Sequence, residues 1–237
     1  MLTILFVLLG ILLGILLIAG IVILSVNFRI QQLKDPRYTD QERFEFVSWV
    51  VSWAIPLLIR VKVEVEGLEK LDSIEHGVIY ANHQSNVDIV TMLKVIKRPH
   101  GYVAKKELDH IFLLSDGMRL IRCEFMDRND VRQSVKVISN AVKKVKEGHL
   151  MVIFPEGTRM IKGELGSFKA GSFKLAQKAK ADIIPVTIFN SYEVAKRWPR
   201  RTVVKMLVHD PIKYEDYEGL STNELSEHVE MIIKKTL

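Results

Sequence analysis

VIYANHQSNVDIV, residues 78–90, is the stretch on which the reading of this chain turns. The apolar run Val78-Ile79-Tyr80-Ala81 stops at Asn82, four polar residues follow, and apolar spacing resumes at Val87. A short apolar run bounded by polar turn residues reads as a buried strand, and the spacing after it as a helix. Were residues 83–88 one unbroken helix, five steps of about 100° would set His83 and Asp88 roughly 140° apart. With the strand ending near Asn82 and the helix opening at Ser85 or Asn86, His83 lies in the turn. Asp88 then sits in the first helical turn and reaches back. A carboxylate on one imidazole nitrogen fixes the tautomer and leaves the other nitrogen to take a proton. The same aspartate also suits the positive end of a helix dipole. The stretch alone therefore leaves a turn filler and a catalytic pair both open.

Working outward, strand and helix patterns alternate. VKVEVEG (61–67) alternates strictly, and GVIYAN, GYVAK, IRCEFMD, HLMVIF, DIIPVTIF and TVVKMLVH are further strand candidates. DVRQSVKVISNAVKKVKEG (130–148) predicts a helix capped by Asp130 and closed by Gly148, its apolar face made of Val131, Val135, Ile138, Val142 and Val145. A last helix opens with a Ser221–Glu224 capping box and carries Leu225, Val229, Ile232 and Ile233. The pattern predicts an α/β fold: a mixed, largely parallel sheet of about seven strands flanked by helices.

Residues 2–28 carry no charged side chain, so the net charge of +6 falls on the rest of the chain. A helix of that length exceeds the ~30 Å hydrocarbon core of a bilayer. It has no basic n-region and is too long for a cleaved signal peptide. DQERFEFVSWVVSWAIPLLIR (40–60), with Trp49 and Trp53 one turn apart and a kink or an end expected at Pro56, reads as a second, interfacial membrane helix or as an ordinary core helix. The expectation is an N-terminal membrane-anchoring helix pair over residues 1–60 and one α/β domain over 61–237. Arg29, Lys34 and Arg37 follow the apolar segment, which places that domain at the cytoplasmic face of the cell membrane. The single cysteine, Cys123, forbids an internal disulfide and any site built on several thiolates.

A second constellation follows the strand in HLMVIFPEGTR (149–159). Gly157 permits close backbone approach, Thr158 offers a hydroxyl and Arg159 a fork that matches phosphate. Lys105 in GYVAKKEL (101–108) and Arg128 in EFMDR (124–128) also fall at strand ends, where α/β sheets place their binding crevice. Each has a plain alternative as a solvated turn. Three cations at one sheet end suit a phosphate.

These blocks together resemble the 1-acyl-glycerol-3-phosphate (lysophosphatidate) acyltransferases: NHQSNVD (82–88), AKKEL with EFMDR (104–128), FPEGTR (154–159), FKAG (168–171) and IIPV (183–186). The chain departs from that pattern at Arg122 and Cys123, where relatives usually carry a glycine, and in lacking a proline after AKKEL. The resemblance implies that His83 is the general base and Asp88 its orienting partner. It implies that Glu156, Gly157, Thr158 and Arg159 bind the glycerol-phosphate acceptor, with Lys105 and Arg128 also facing phosphate. Pro185 would be structural or line the acyl site. The implied reaction moves a fatty acyl group from a thioester to the sn-2 hydroxyl of lysophosphatidate, forming phosphatidic acid without an acyl-enzyme. No bound cofactor and no metal are expected. Acyl carrier protein or coenzyme A would bring the acyl group, membrane lipids the acceptor, and Lys196, Arg197, Arg200 and Arg201 are candidates to meet anionic headgroups or an acidic carrier. The same chemistry on glycerol-3-phosphate or another lysolipid stays open. A membrane-tethered polyanion-binding module would leave His83 and Asp88 without a role, and the basic residues lack the interleaved aromatics of a nucleic-acid site.

Overall fold

The computed structural model describes residues 2–160 and 164–237, and within residues 54–59 only the backbone. Helix α1 (Leu2–Leu33) is followed by α2 (Asp40–Ile59), β1 (Val61–Glu66), β2 (Gly77–Ala81), α3 (Val87–Val95), β3 (His100–Lys105), α4 (Leu114–Leu120) and β4 (Glu124–Met126). Then come α5 (Val131–Lys146), β5 (Leu150–Ile153), α6 (Lys174–Ala179), β6 (Asp182–Phe189), α7 (Glu193–Arg197), β7 (Thr202–Val208), α8 (Tyr214–Tyr217) and α9 (Thr222–Lys234). All seven strands fall where the apolar and alternating runs place them. They form one sheet in the order β1-β7-β6-β2-β5-β3-β4. Every pairing is parallel except β6 with β7.

Side chains of period two divide between the two faces of this sheet. Ile79, Ala81, Leu150 and Val152 meet Phe44 of α2 and Met92 and Leu93 of α3 on one side. Val78, Tyr80, Met151 and Ile153 meet α5, α6 and α9 on the other. Pro185 is buried in a central strand, a place that a residue without an N–H tolerates only at an irregularity. The register supplies one: between the pairs Val186–Val208 and Ile183–Ile212, residues 209–211 stand opposite only 184–185.

Three expectations need correcting. In α5 the buried residues are Val137, Ile138, Ala141 and Val145, whereas Val131 and Val135 are exposed. A helix of 16 residues is about 24 Å long, and β4 and β5 beneath it are far shorter, so its first turns overhang the sheet. The membrane helices are not a pair: among the described residues one helix, α1, is long and apolar enough to cross a bilayer. Helix α2 instead buries Phe44 and Ser48 in the domain, the Ser48 hydroxyl donating to Leu93 O at 2.7 Å. Nor does α2 end at Pro56; it continues to Ile59.

The direction of α1 follows from its ties. At its end Leu33 O accepts from Arg43 Nε (2.9 Å), and Lys34 pairs with Asp116. Asp40, at the start of α2, pairs with Arg122 just before β4, at the amino ends of the parallel strands. From there α2 climbs toward the carboxyl ends, and α1 packs beside it through Val26, Ile30 and Leu33 against Phe46, Val47, Leu113 and Leu120. The apolar length of α1 thus leaves the domain on the side where β2, β3 and β5 end.

Candidate active site

Asn86 caps α3, so His83 lies in the turn and Asp88 in the first helical turn, as the spacing requires. His83 Nδ1 and Asp88 Oδ2 are 2.8 Å apart. The same oxygen accepts from the backbone N–H groups of Gln84 (2.7 Å) and Ser85 (2.9 Å). Asp88 is fully buried, and such charge-assisted bonds hold it as an acceptor. Its partner nitrogen must then carry the proton, which leaves Nε2 of His83 as the basic nitrogen. The His83 ring lies on Phe154, centroids 4.1 Å apart, and its side chain keeps a 14% exposure.

The plain reading of a histidine near a strand is realised elsewhere in the chain. His100 is fully buried, its Nδ1 facing Arg98 O and its Nε2 facing the Tyr102 hydroxyl. Burial pushes its pKa down to about 4, and that of His149 likewise to about 4, so both stay neutral core groups. His83 differs in having a carboxylate on one nitrogen and solvent access to the ring.

The second motif grips the first by the backbone. Glu156 Oε1 accepts from His83 N–H at 2.6 Å, and Met160 N–H donates to His83 O at 2.8 Å. The other Glu156 oxygen accepts from Gly166 N–H at 2.9 Å. Glu156 is only 4% exposed, and burial pushes its pKa up to about 7. With both oxygens bonded to backbone, Glu156 is a strut between the histidine turn and the 164–168 segment. The far side of the turn is pinned to β6. The Asn82 side chain bonds Ile188 N–H (2.7 Å) and O (2.9 Å), and Gln84 Oε1 accepts from Ser191 N–H (3.1 Å).

The cations assemble unevenly. Gly157 adopts φ +71°, where a side chain would be strained. Arg128 donates to Gly157 O, and the Lys169 stem lies over the glycine, its Nζ 2.9 Å from where a Cβ would stand. Arg159 is exposed and donates to Asn86 Oδ1 at 3.3 Å, beside the histidine turn, and Thr158 is exposed next to it. Lys105, at the end of β3, is paired with Glu107 (3.0 Å) and makes no bond to the Gly157 turn among the described residues. Sequence reasoning misses Lys169: its signal is the FKAG block (168–171), which gives no distance to Gly157. Cys123 is buried, accepts from Tyr102 N–H and has its thiol pushed up to about 12, so it is no nucleophile.

Comparison with known proteins places the chain in a family. The family profile described as "Acyltransferase" matches residues 62–189. The chain is 31% identical over 212 residues to a "Probable 1-acyl-sn-glycerol-3-phosphate acyltransferase" of Mycoplasma genitalium, covering 83% of this chain and 78% of that one. It is 29% identical over 215 residues to a protein of the same description from Mycoplasma pneumoniae, covering 84% and 79%. The crystal structure of the 1-acyl-sn-glycerophosphate (LPA) acyltransferase PlsC from Thermotoga maritima superposes with a TM-score of 0.72 at 26% identity, over 93% of this chain and 90% of that one. The chain therefore belongs to the acyltransferase family and, within it, to the 1-acyl-sn-glycerol-3-phosphate acyltransferases.

Proposed function

We propose that His83 and Asp88 carry out acyl transfer from a thioester to the sn-2 hydroxyl of lysophosphatidate, with the product phosphatidic acid released into the bilayer. The observation that carries this reading is an imidazole with a small solvent-accessible edge, held on one nitrogen by a buried carboxylate. Nε2 of His83 takes the hydroxyl proton as the oxygen attacks the thioester carbonyl. The tetrahedral intermediate collapses by breaking the carbon–sulfur bond, and the imidazolium returns its proton to the departing thiolate. Asp88 holds the ring and stabilises the imidazolium. The hydroxyl of the acceptor stands where a serine protease keeps its serine, so no acyl-enzyme forms. General-base assistance of this kind contributes about 10²–10⁴-fold.

Arg128, Arg159 and Lys169 around Gly157 would hold the acceptor phosphate, with Lys105 at the rim. Residues 2–33 are the membrane anchor, and α2 belongs to the folded domain. The cations after α1 favour the cytoplasmic face. The 196–201 segment joins the carboxyl end of β6 to β7, so its arginines share the site's end of the sheet and would face anionic headgroups or an acidic acyl carrier.

The test is acyl transfer in mixed micelles, with lysophosphatidate, glycerol-3-phosphate and lysophosphatidylcholine as acceptors and both thioester donors. Lysophosphatidate should be preferred, and His83→Ala should lower kcat by about 10²–10⁴-fold with the fold intact. Near-normal turnover by His83→Ala would remove the base. Equal use of lysophosphatidylcholine would remove the phosphate site.

A further inference from the structure

Between β3 and α4 the chain reads Ile111-Phe112-Leu113-Leu114. Leu113 has φ 65° and ψ −42°, and Leu114 N–H closes back on Phe112 O at 2.7 Å, a tight three-residue turn that side-chain-bearing residues avoid. The turn sends Leu113 inward against the end of α1 and leaves its neighbours outside. Ile111, Phe112 and Leu114 are 46%, 70% and 45% exposed. Scattered exposed apolar residues need no explanation, but three in four positions, displayed by a backbone that strains to display them, do.

We propose that Ile111, Phe112 and Leu114 form a wedge that enters the headgroup–acyl boundary of the same bilayer that holds α1. The wedge deepens the membrane reading of α1 and rests on it. Two observations choose the bilayer as occupant. Leu113 packs in the cluster from which α1 leaves the domain, so the wedge is continuous with the anchor and points to the same side. Among the described residues the cations flanking the wedge, Lys105, Lys106 and Arg119, are each paired with a carboxylate, Glu107, Asp127 and Asp109, so the surface around the wedge offers an acidic protein balanced charge rather than a basic patch. The wedge follows directly from Lys105 at the rim of the site. Seated in the interface, it would draw lipid to the edge of the crevice and let an acceptor slide in with its acyl chain still in the membrane.

Cys123 is buried and has its thiol pushed up to about 12, so an added surface cysteine can be labelled selectively in the full-length chain. A fluorophore would be placed at Phe112→Cys, at Leu13→Cys in the middle of α1, and at Ser73→Cys beyond the amino end of β2, with the protein in phosphatidylglycerol-containing vesicles. We expect labels at 112 and 13 to be quenched by nitroxide-bearing lipid and shielded from iodide, and the label at 73 to show the reverse. A label at 112 as open to iodide as that at 73 overturns the wedge, and protection from iodide only when acyl carrier protein or excess unlabelled enzyme is added overturns it equally. If the label at 13 is aqueous, the anchor reading fails and the wedge, which rests on it, falls with it, whereas iodide access at 112 with 13 shielded removes the wedge alone. As a second readout, Phe112→Asp should lower the rate on vesicle-borne lysophosphatidate about tenfold while sparing a water-soluble short-chain acceptor. Equal loss on both acceptors overturns the proposal.

Discussion

Arginines at the two ends of the sheet are used in opposite ways. At the amino ends, Arg98 gives its guanidinium to the carbonyls of Leu71, Ile74, Glu75 and Gly148, and Arg122 gives its own to Asp40 and Glu147. A groove opens there beside Ile74, Ile96 and Arg98, but its arginine is spent on backbone. At the carboxyl ends, Arg159 is exposed and, among the described residues, holds one long bond to an amide oxygen, and Arg128 holds one carbonyl. An arginine saturated by its own chain is masonry. One left with donors to spare, beside a histidine on a buried carboxylate, is available to a ligand.

The sharpest way to break this comparison is a crossed pair of substitutions. Arg98→Ala leaves carbonyls without donors and should cost about 2–4 kcal/mol, read as a Tm drop in detergent, with the KM for lysophosphatidate unchanged. Arg159→Ala should shift stability by no more than about 0.5 kcal/mol, yet raise that KM about tenfold through loss of a charge-assisted contact. If the effects are exchanged, the division between the two ends is wrong.

A smaller effect concerns the strut. Glu156 has a pKa of about 7 in the fold against an ordinary 4.5, because burial opposes its charge. Between those values the native chain holds a proton that the unfolded chain has released. Its contribution to stability therefore falls as pH rises through that window, by up to about 1.4 kcal/mol per pH unit. Glu156→Gln has no such proton to lose. Thermal unfolding of both proteins from pH 4.5 to 7 should show the steeper decline in the unaltered chain, and parallel curves would take Glu156 out of the account.

The smallest effect tests the saturated end alone. Arg122 sits at φ 58°, in the left-handed region that favours glycine. Arg122→Gly relieves roughly 1 kcal/mol of left-handed strain and gives up two partly exposed ion pairs worth about as much. Net stability should move by less than about 1 kcal/mol, and activity should not change. A large fall in turnover would mean that this end of the sheet reaches the chemistry.

Much of this was legible in the residues. Alternation and apolar runs located each strand because a two-residue period is written into any half-buried strand, and the capping box at Ser221 is present as read. The His83–Asp88 contact was legible because both residues lie in one strand-turn-helix unit whose geometry the chain sets locally. The face of α5 was not, since which valines it buries depends on how far short strands reach beneath it. The single apolar helix was readable, but α2 carries enough apolar residues for either membrane or core, and only packing on α3 and α4 decides between them.

The sequence by itself determined the alternation of strands and helices, the apolar anchor and the paired histidine and aspartate, all of which rest on periodicity and short spacing. Only the tertiary structure decided that Glu156 braces the backbone of His83, that Lys169 lies over Gly157, and that α1 leaves from the site's own end of the sheet. The first of these contacts joins residues 73 apart in the chain. It exists because parallel strands β2 and β5 end side by side, an adjacency set by the packing of the whole sheet and by no local run of residues.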